Sequence, residues 1–264
     1  MTEFTSHAPG TPCWVDLMSP DVDASKAFYT AVFGWDAEDQ HDDDGNRVYV
    51  MFTLDGKSVC GLGGQPPGMG EMPPVWNTYI ATDDPGAVAD RVTAGGGTVM
   101  MKPMPVMTSG EMAIFTDPGG AAFSVWKAGD HHGIEVGSIA NTYSWSELNT
   151  RDLDRALPFY ASVFGWEYDS GAAMPGYHLI KGGTNDEGLG GIMAMPDEVP
   201  EMVPNHWANY FTITDLDASV AAVRANGGDV MAEPMTIPGV GSMAVVHDPA
   251  GGNFSLMQPE TPPA

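Results

Sequence analysis

Trp14-Val-Asp-Leu-Met-Ser-Pro-Asp21, followed by Phe28-Tyr29 and Val32-Phe33-Gly34-Trp35, returns 131 residues later as Trp145-Ser-Glu-Leu-Asn-Thr-Arg-Asp152, Phe159-Tyr160 and Val163-Phe164-Gly165-Trp166. The same offset carries Trp76 to Trp207, Tyr79 to Tyr210, Gly96-Gly97 to Gly227-Gly228, Pro103-Met104 to Pro234-Met235 and Asp117-Pro118 to Asp248-Pro249. Between Gly61-Leu-Gly-Gly64 and Gly188-Leu-Gly-Gly191 the offset falls to 127, so one loop is expected to differ in length. Agreement at so many points means a duplicated module. The expected division is a first module over 1–128, a linker over 129–140 rich in Gly, Asp and His, and a second module over 141–264.

Each module reads as strand, helix and several strands, twice over. Cys13–Met18 suits a short strand. Asp21 is a good N-cap, because a short acidic side chain can accept from the free amides of the first turn. Ala24, Ala27, Phe28, Ala31 and Val32 then recur at helical spacing. Gly34 falls where a left-handed C-terminal cap needs a residue without Cβ. Arg47–Thr53 and Lys57–Leu62 read as strands across the turn Asp55-Gly56. The pattern restarts with a strand at Trp76–Thr82, a helix at Pro85–Ala94 and strands at Thr98–Lys102, Met112–Phe115 and Ala122–Trp126. The expected fold is α+β, with four βαβββ units making two modules of curled, mixed sheets.

Charge and composition exclude several classes of function. With 10 Lys+Arg against 35 Asp+Glu, the net charge of −25 repels phosphate backbones and anionic lipid, so neither nucleic acid nor membrane is an expected partner. No apolar run approaches the ~18 residues of a bilayer span, and Met1 to Pro12 has no apolar leader core. Cys13 and Cys60 are too few for a disulfide framework and read as free thiols in a reducing compartment, so a cytoplasmic location is expected. The glycine clusters lack the context of a P-loop or a dinucleotide fingerprint and read as tight turns and close strand approaches.

The two helix signatures, with Asp117-Pro-Gly-Gly120 and Phe123 and their copy Asp248-Pro-Ala-Gly251 and Phe254, resemble the vicinal oxygen chelate superfamily. That superfamily holds glyoxalases, extradiol dioxygenases, fosfomycin-resistance enzymes and bleomycin-binding proteins. Within it the chain is similar to tandem glyoxalase-like proteins of actinobacterial type, some labelled hydroxylases. The resemblance implies a partly open barrel with a divalent metal held by His, Glu or Gln from the first, fifth and eighth strands. Carried over residue by residue, those positions fall on Trp14, Asn77 and Ser124, and on Trp145, Ala208 and Ser255. A register one residue earlier puts the fifth-strand position on Trp76 and Trp207. None is an ordinary ligand for a hard or borderline ion, so no metal and no other cofactor is expected. A shifted set of Asp16 or Glu147 with His206 is the remaining metal alternative.

Asp16 and Glu147 sit two residues after Trp14 and Trp145, on the same strand face. In an apolar cavity desolvation would raise such a carboxyl toward general-base duty, while at a barrel mouth it would bind backbone amides or Arg. His178, His206 and His247 are confined to the second half, and His131-His132 are an exposed linker pair with no expected role. Asp16, Glu147, His206 and His247 are therefore the candidate catalytic residues. Trp14, Asn77, Tyr79, Ser124, Trp145, Trp207, Tyr210 and Ser255 are the candidate ligand-binding residues. Trp76 and Trp126 also recur on the strands expected to line the barrels. These aromatics, with 18 Met, suit a cavity for a planar or hydrophobic small molecule. Two functions remain open: a metal-independent hydroxylase-like or glyoxalase-like enzyme, and a bleomycin-resistance-like protein that sequesters a drug or metabolite. The halves are expected to pack as an internal pseudo-dimer in a monomer or homodimer.

Overall fold

The computed structural model describes residues 2–65, 73–170, 176–182 and 185–261. An N-terminal arm carries β1 (Thr2–Glu3). The first module then runs β2 (Pro12–Ser19), α1 (Val22–Phe33), β3 (Asp36–His41), β4 (Arg47–Leu54), β5 (Lys57–Gly64), β6 (Val75–Ala81), α2 (Pro85–Ala94), β7 (Thr98–Val106), β8 (Gly110–Thr116) and β9 (Ala122–Ala128). The connecting segment contains β10 (Val136–Gly137), which pairs with β1. The second module repeats the order as β11 (Thr142–Thr150), α3 (Leu153–Phe164), β12 (Glu167–Ser170), β13 (Tyr177–Gly182), β14 (Asn185–Ala194), β15 (His206–Thr212), α4 (Leu216–Ala225), β16 (Asp229–Ile237), β17 (Gly241–His247) and β18 (Asn253–Pro259).

The sheets have matching orders, β3-β4-β5-β2-β6-β9-β8-β7 and β12-β13-β14-β11-β15-β18-β17-β16. In each, the first strand pairs parallel with the fourth and antiparallel with the fifth, which gives the mixed α+β architecture of four βαβββ units. Helix boundaries follow local chemistry. Asp21 and Asp152 cap their helices by accepting from the amides of Ala24 and Arg155, and Gly34 and Gly165 close them in the left-handed conformation at φ +71° and +74°. β7 runs on through Pro103 and Pro105 to Val106, beyond the expected end at Lys102. As the edge strand it can accommodate prolines that have no ladder hydrogen bond to give.

Strand register corrects one sequence equivalence. Gly61 pairs with Asp16, whereas Gly191 pairs with Glu147, so the true offset there is 130. The literal Gly-Leu-Gly-Gly match at 127 is a coincidence of composition.

The cores cross the module boundary. One joins α1 and its strands to Phe211, Val220, Val223 and Phe254 of the second module, and the other joins Val88, Val92, Phe115 and Phe123 to α3. The helix signature supplies the ties. Tyr29 donates to Asp248 (3.1 Å) and Tyr160 to Asp117 (3.2 Å), and each tyrosine accepts from an indole N–H, that of Trp76 or of Trp207. Trp35 and Trp166 donate to the carbonyls of Asn141 and Gly10. Asp117 and Asp248 also hold their own loops, accepting from the amides of Gly119 and Ala121 and of Ala250 and Gly252. The repeated aromatic signature is thus an inter-module lock, and the halves form an internal pseudo-dimer.

Candidate functional site

Because strand side chains alternate, packing one face of each sheet on helices leaves the other free for function. Val15, Leu17, Trp76, Phe123 and Val125 face the helices and are buried in the two cores. Trp14, Asp16, Asn77, Tyr79, Ser124 and Trp126 face the other way. Trp14, Asp16 and Ser124 are only 4%, 4% and 1% exposed, because the sheet curls around this helix-free side. Cross-strand register sets Trp14 beside Tyr79, Asp16 beside Asn77 and Tyr79 beside Ser124.

In the first module these groups converge on Asp16. Its Oδ1 accepts from Asn77 Nδ2 (2.8 Å), and its Oδ2 accepts from the hydroxyls of Tyr49 (2.9 Å) and Tyr79 (3.0 Å). Trp14 Nε1 donates to the Tyr49 hydroxyl (3.0 Å), closing the cluster. Burial pushes Asp16 above the usual carboxylate range, against the opposing pull of hydrogen bonds from Asn77, Tyr49 and Tyr79.

The second module repeats this frame around Glu147. Tyr210 donates to Glu147 Oε1 (3.0 Å), Tyr177 and Asn149 also hydrogen-bond the carboxyl, and Trp145 Nε1 donates to the Tyr177 hydroxyl (3.0 Å). The place of Asn77 is taken by Ala208, directly across from Glu147, and Ser255 stands beside Tyr210. Burial pushes Glu147 up to about 7, against the pull of Tyr210, Asn149 and Tyr177. A carboxyl of that strength is half ionised near neutrality, which suits a general base.

Tyr49 and Tyr177 are functional-face residues that the repeat did not expose. Their offset is 128, and under the 131-residue frame Tyr49 falls on Ile180, a buried helix-side residue. The available signal was glycine. A Cβ at Gly61 would run into the Tyr49 ring and hydroxyl, and one at Gly191 into those of Tyr177. The close strand approaches expected from the glycine clusters are therefore tyrosines laid across a bare strand to reach the carboxyl.

Three of the expected site residues fall elsewhere. Trp207 lies on the helix-side face, in the core against Tyr160, because its strand neighbours Ala208 and Tyr210 take the open face. Trp76 is its counterpart. His206 stands opposite Asn149 on the Glu147 face, but its Nδ1 bonds the carbonyl of Pro204 (2.9 Å). His247 bonds the carbonyl of Asp248 (2.8 Å) near the strand end. Neither histidine has a hydrogen bond to Glu147 among the described residues.

The connecting segment departs from expectation most. His131 is not an exposed bystander. Its ring meets Trp14 edge-on at 4.4 Å and Trp126 at 5.8 Å, and Trp126 Nε1 donates to its carbonyl (2.9 Å). Burial holds its imidazole down to about 4.

Among the described residues no three His, Cys, Asp or Glu side chains converge as metal ligands. The donors facing each carboxylate are phenols and amides, which do not suit the divalent metal that the resemblance implies.

A family model described as Glyoxalase/Bleomycin resistance protein/Dioxygenase superfamily matches residues 13–125 and again 139–256. The chain belongs to that superfamily. It is 45% identical over 262 residues to a putative glyoxylase, CFP32, of Mycobacterium tuberculosis, covering 98% of both chains. It is 38% identical over 274 residues to the anthracycline biosynthesis protein DauV of a Streptomyces species, covering 97% of this chain and 95% of DauV. In fold it is similar to the Mn(II)-bound glyoxalase of Novosphingobium aromaticivorans, with a TM-score of 0.63, 16% identity, and 96% and 85% of the two chains covered. It is likewise similar to the 2,3-dioxygenase LapB of a Pseudomonas species, with a TM-score of 0.64, 13% identity, and 98% and 96% covered. No helix among the described residues is long and apolar enough to cross a membrane.

Proposed function

We propose that this protein is a metal-independent enzyme of the superfamily in which Glu147 withdraws a proton from a planar aromatic carbonyl compound. The observation that carries this reading is the Glu147 carboxyl, buried, raised to about 7, and held between Tyr210 and the Tyr177–Trp145 pair. A glyoxalase-type isomerisation begins with proton removal beside a carbonyl, which needs a base matched to neutral pH. The carboxylate takes the proton, and the C–H electron pair moves into the carbonyl as an enolate. The new carboxylic acid then returns a proton to carbon. Half-buried Trp145 offers its face for stacking, and the nearby tyrosine hydroxyls are neutral donors. The likeness to DauV, named for anthracycline biosynthesis, supports a planar, fused-ring ligand. The lack of a ligand trio around either carboxylate among the described residues supports proton transfer without a metal. Buried, unpaired Cys13 and Cys60 support a cytoplasmic setting.

Anthrone, a planar aryl ketone with an acidic C–H, tests this directly. Under argon in deuterated buffer, the protein is expected to bind anthrone and accelerate its hydrogen–deuterium exchange, followed by proton NMR. Acceleration should survive exhaustive chelation. Binding without exchange would overturn the enzyme reading in favour of a sequestering protein, and exchange that chelation abolishes would overturn the metal-free one.

A further inference from the structure

We propose that the first module holds a second, latent site for a planar aromatic ligand, covered by the chain's own connecting segment through His131. The inference rests on the reading that ligand stacks on Trp145, and it extends that reading to the equivalent Trp14. The two tryptophans hold equivalent positions, each bonded to a tyrosine that lies across a bare glycine and each two residues from a buried carboxyl. They differ in cover. Trp14 is 4% exposed, with an aromatic ring already edge-on to it at 4.4 Å, while Trp145 is half-buried. An imidazole in that place does what a small aromatic ligand would do, supplying an edge to an indole face at van der Waals range.

The seat is incompletely matched to its occupant. His131 Nε2 is buried and has no hydrogen-bond partner among the described residues. A buried polar nitrogen without a partner weakens its own docking. The segment's backbone is tied by the amides of Gly129 and His131 donating to the Ser109 carbonyl, that of Ile134 to Cys13 and that of Glu135 to Ser58, and by Trp126 donating to the His131 carbonyl, while ring contacts hold the His131 side chain in its place on Trp14. A ligand that fills the Trp14–Trp126 corner and leaves no stranded nitrogen can therefore compete for it. The intact protein is thus expected to take one equivalent of ligand, at Trp145.

Calorimetric titration with anthrone tests the inference, using full-length protein in five forms. Wild type should bind one equivalent, and Trp145→Ala none. His131→Ala with Trp145→Ala should regain one equivalent, which adding Trp14→Ala should abolish. His131→Phe alone keeps an aromatic wedge, guards against loss of fold, and should bind one equivalent like wild type. If His131→Ala opens no Trp14-dependent site while wild type still binds at Trp145, the latent site is wrong and the reading of the second module stands. If wild type binds nothing but the His131→Ala protein binds through Trp14, the latent site stands and that reading falls. Binding by neither form overturns both.

Discussion

The helix-free faces of the two modules carry one frame and two environments. In both, an indole N–H donates to a tyrosine hydroxyl, the tyrosine crosses a glycine, and a second tyrosine from the fifth strand of the module meets the same carboxyl. In the first module the carboxyl belongs to Asp16, its Oδ1 is taken by Asn77, and its tryptophan is covered by His131. In the second, Ala208 stands where Asn77 would be and Trp145 is half-buried. The comparison separates what builds the frame from what makes it reactive. Tyrosines laid over glycine make the frame, while Ala208 in place of the directly opposed Asn77 and a half-buried indole set the surroundings of Glu147 apart.

The largest expected effect breaks the comparison at the carboxyls. Glu147→Gln should slow anthrone exchange by about 10²- to 10⁴-fold, the usual scale of general-base removal, with calorimetric affinity preserved. Asp16→Asn should leave exchange within about twofold. Equal losses in both variants would show that the modules work alike.

A pH series reads the same group through stability. Glu147 keeps its proton up to about 7 in the folded chain, against 4.5 for an unperturbed glutamate. Its stabilising contribution is therefore fully present below about 4.5 and is lost as pH rises through about 7. Denaturant titrations should show Glu147→Gln gaining on wild type by about 3 kcal/mol between pH 4 and pH 8, following the shift at ~1.4 kcal/mol per unit. Exchange should rise through the same interval, since ionised Glu147 is the active form.

Gly191→Ala and Gly61→Ala test the shared frame, because each new methyl group meets a tyrosine ring. Each should cost about 1–3 kcal/mol in denaturant unfolding, the usual scale of overpacking. Only Gly191→Ala should also slow exchange, by displacing Tyr177. The smallest expected effect sharpens the contrast. Ala208→Asn rebuilds the Asn77 contact on Glu147 and should move the acid limb of the exchange profile down by up to about one unit. An unmoved limb would remove Asn77 from the account of why the modules differ.

Much of the frame was legible in residues whose spacing survives duplication. Trp14, Tyr79 and Ser124, and Trp145, Tyr210 and Ser255, share strand faces, so alternation and one constant offset place them together with Asp16 and Glu147. Tyr49 and Tyr177 escaped because hairpins of unequal length shift their offset to 128, and a repeat frame is blind where loops differ. Trp207 was assigned to the wrong face because two fifth-strand registers fit the sequence equally well and a one-residue slip inverts a strand. Helix packing against Tyr160 selects the register.

Duplication, the βαβββ order, the helix caps and the acidic character followed from local chemistry and periodicity, which act over a few residues and leave their mark in the chain itself. Partnership over long separations did not. That Tyr29 reaches Asp248, that Tyr160 reaches Asp117, and that His131 settles on Trp14 depend on how four units pack, since each sheet must bury one face and each core is built from residues of both modules. The sequence therefore determined the modules and named their carboxyls. Tertiary packing decided which face became the core, which tyrosines meet each carboxyl, and which of two equivalent tryptophans is the more exposed.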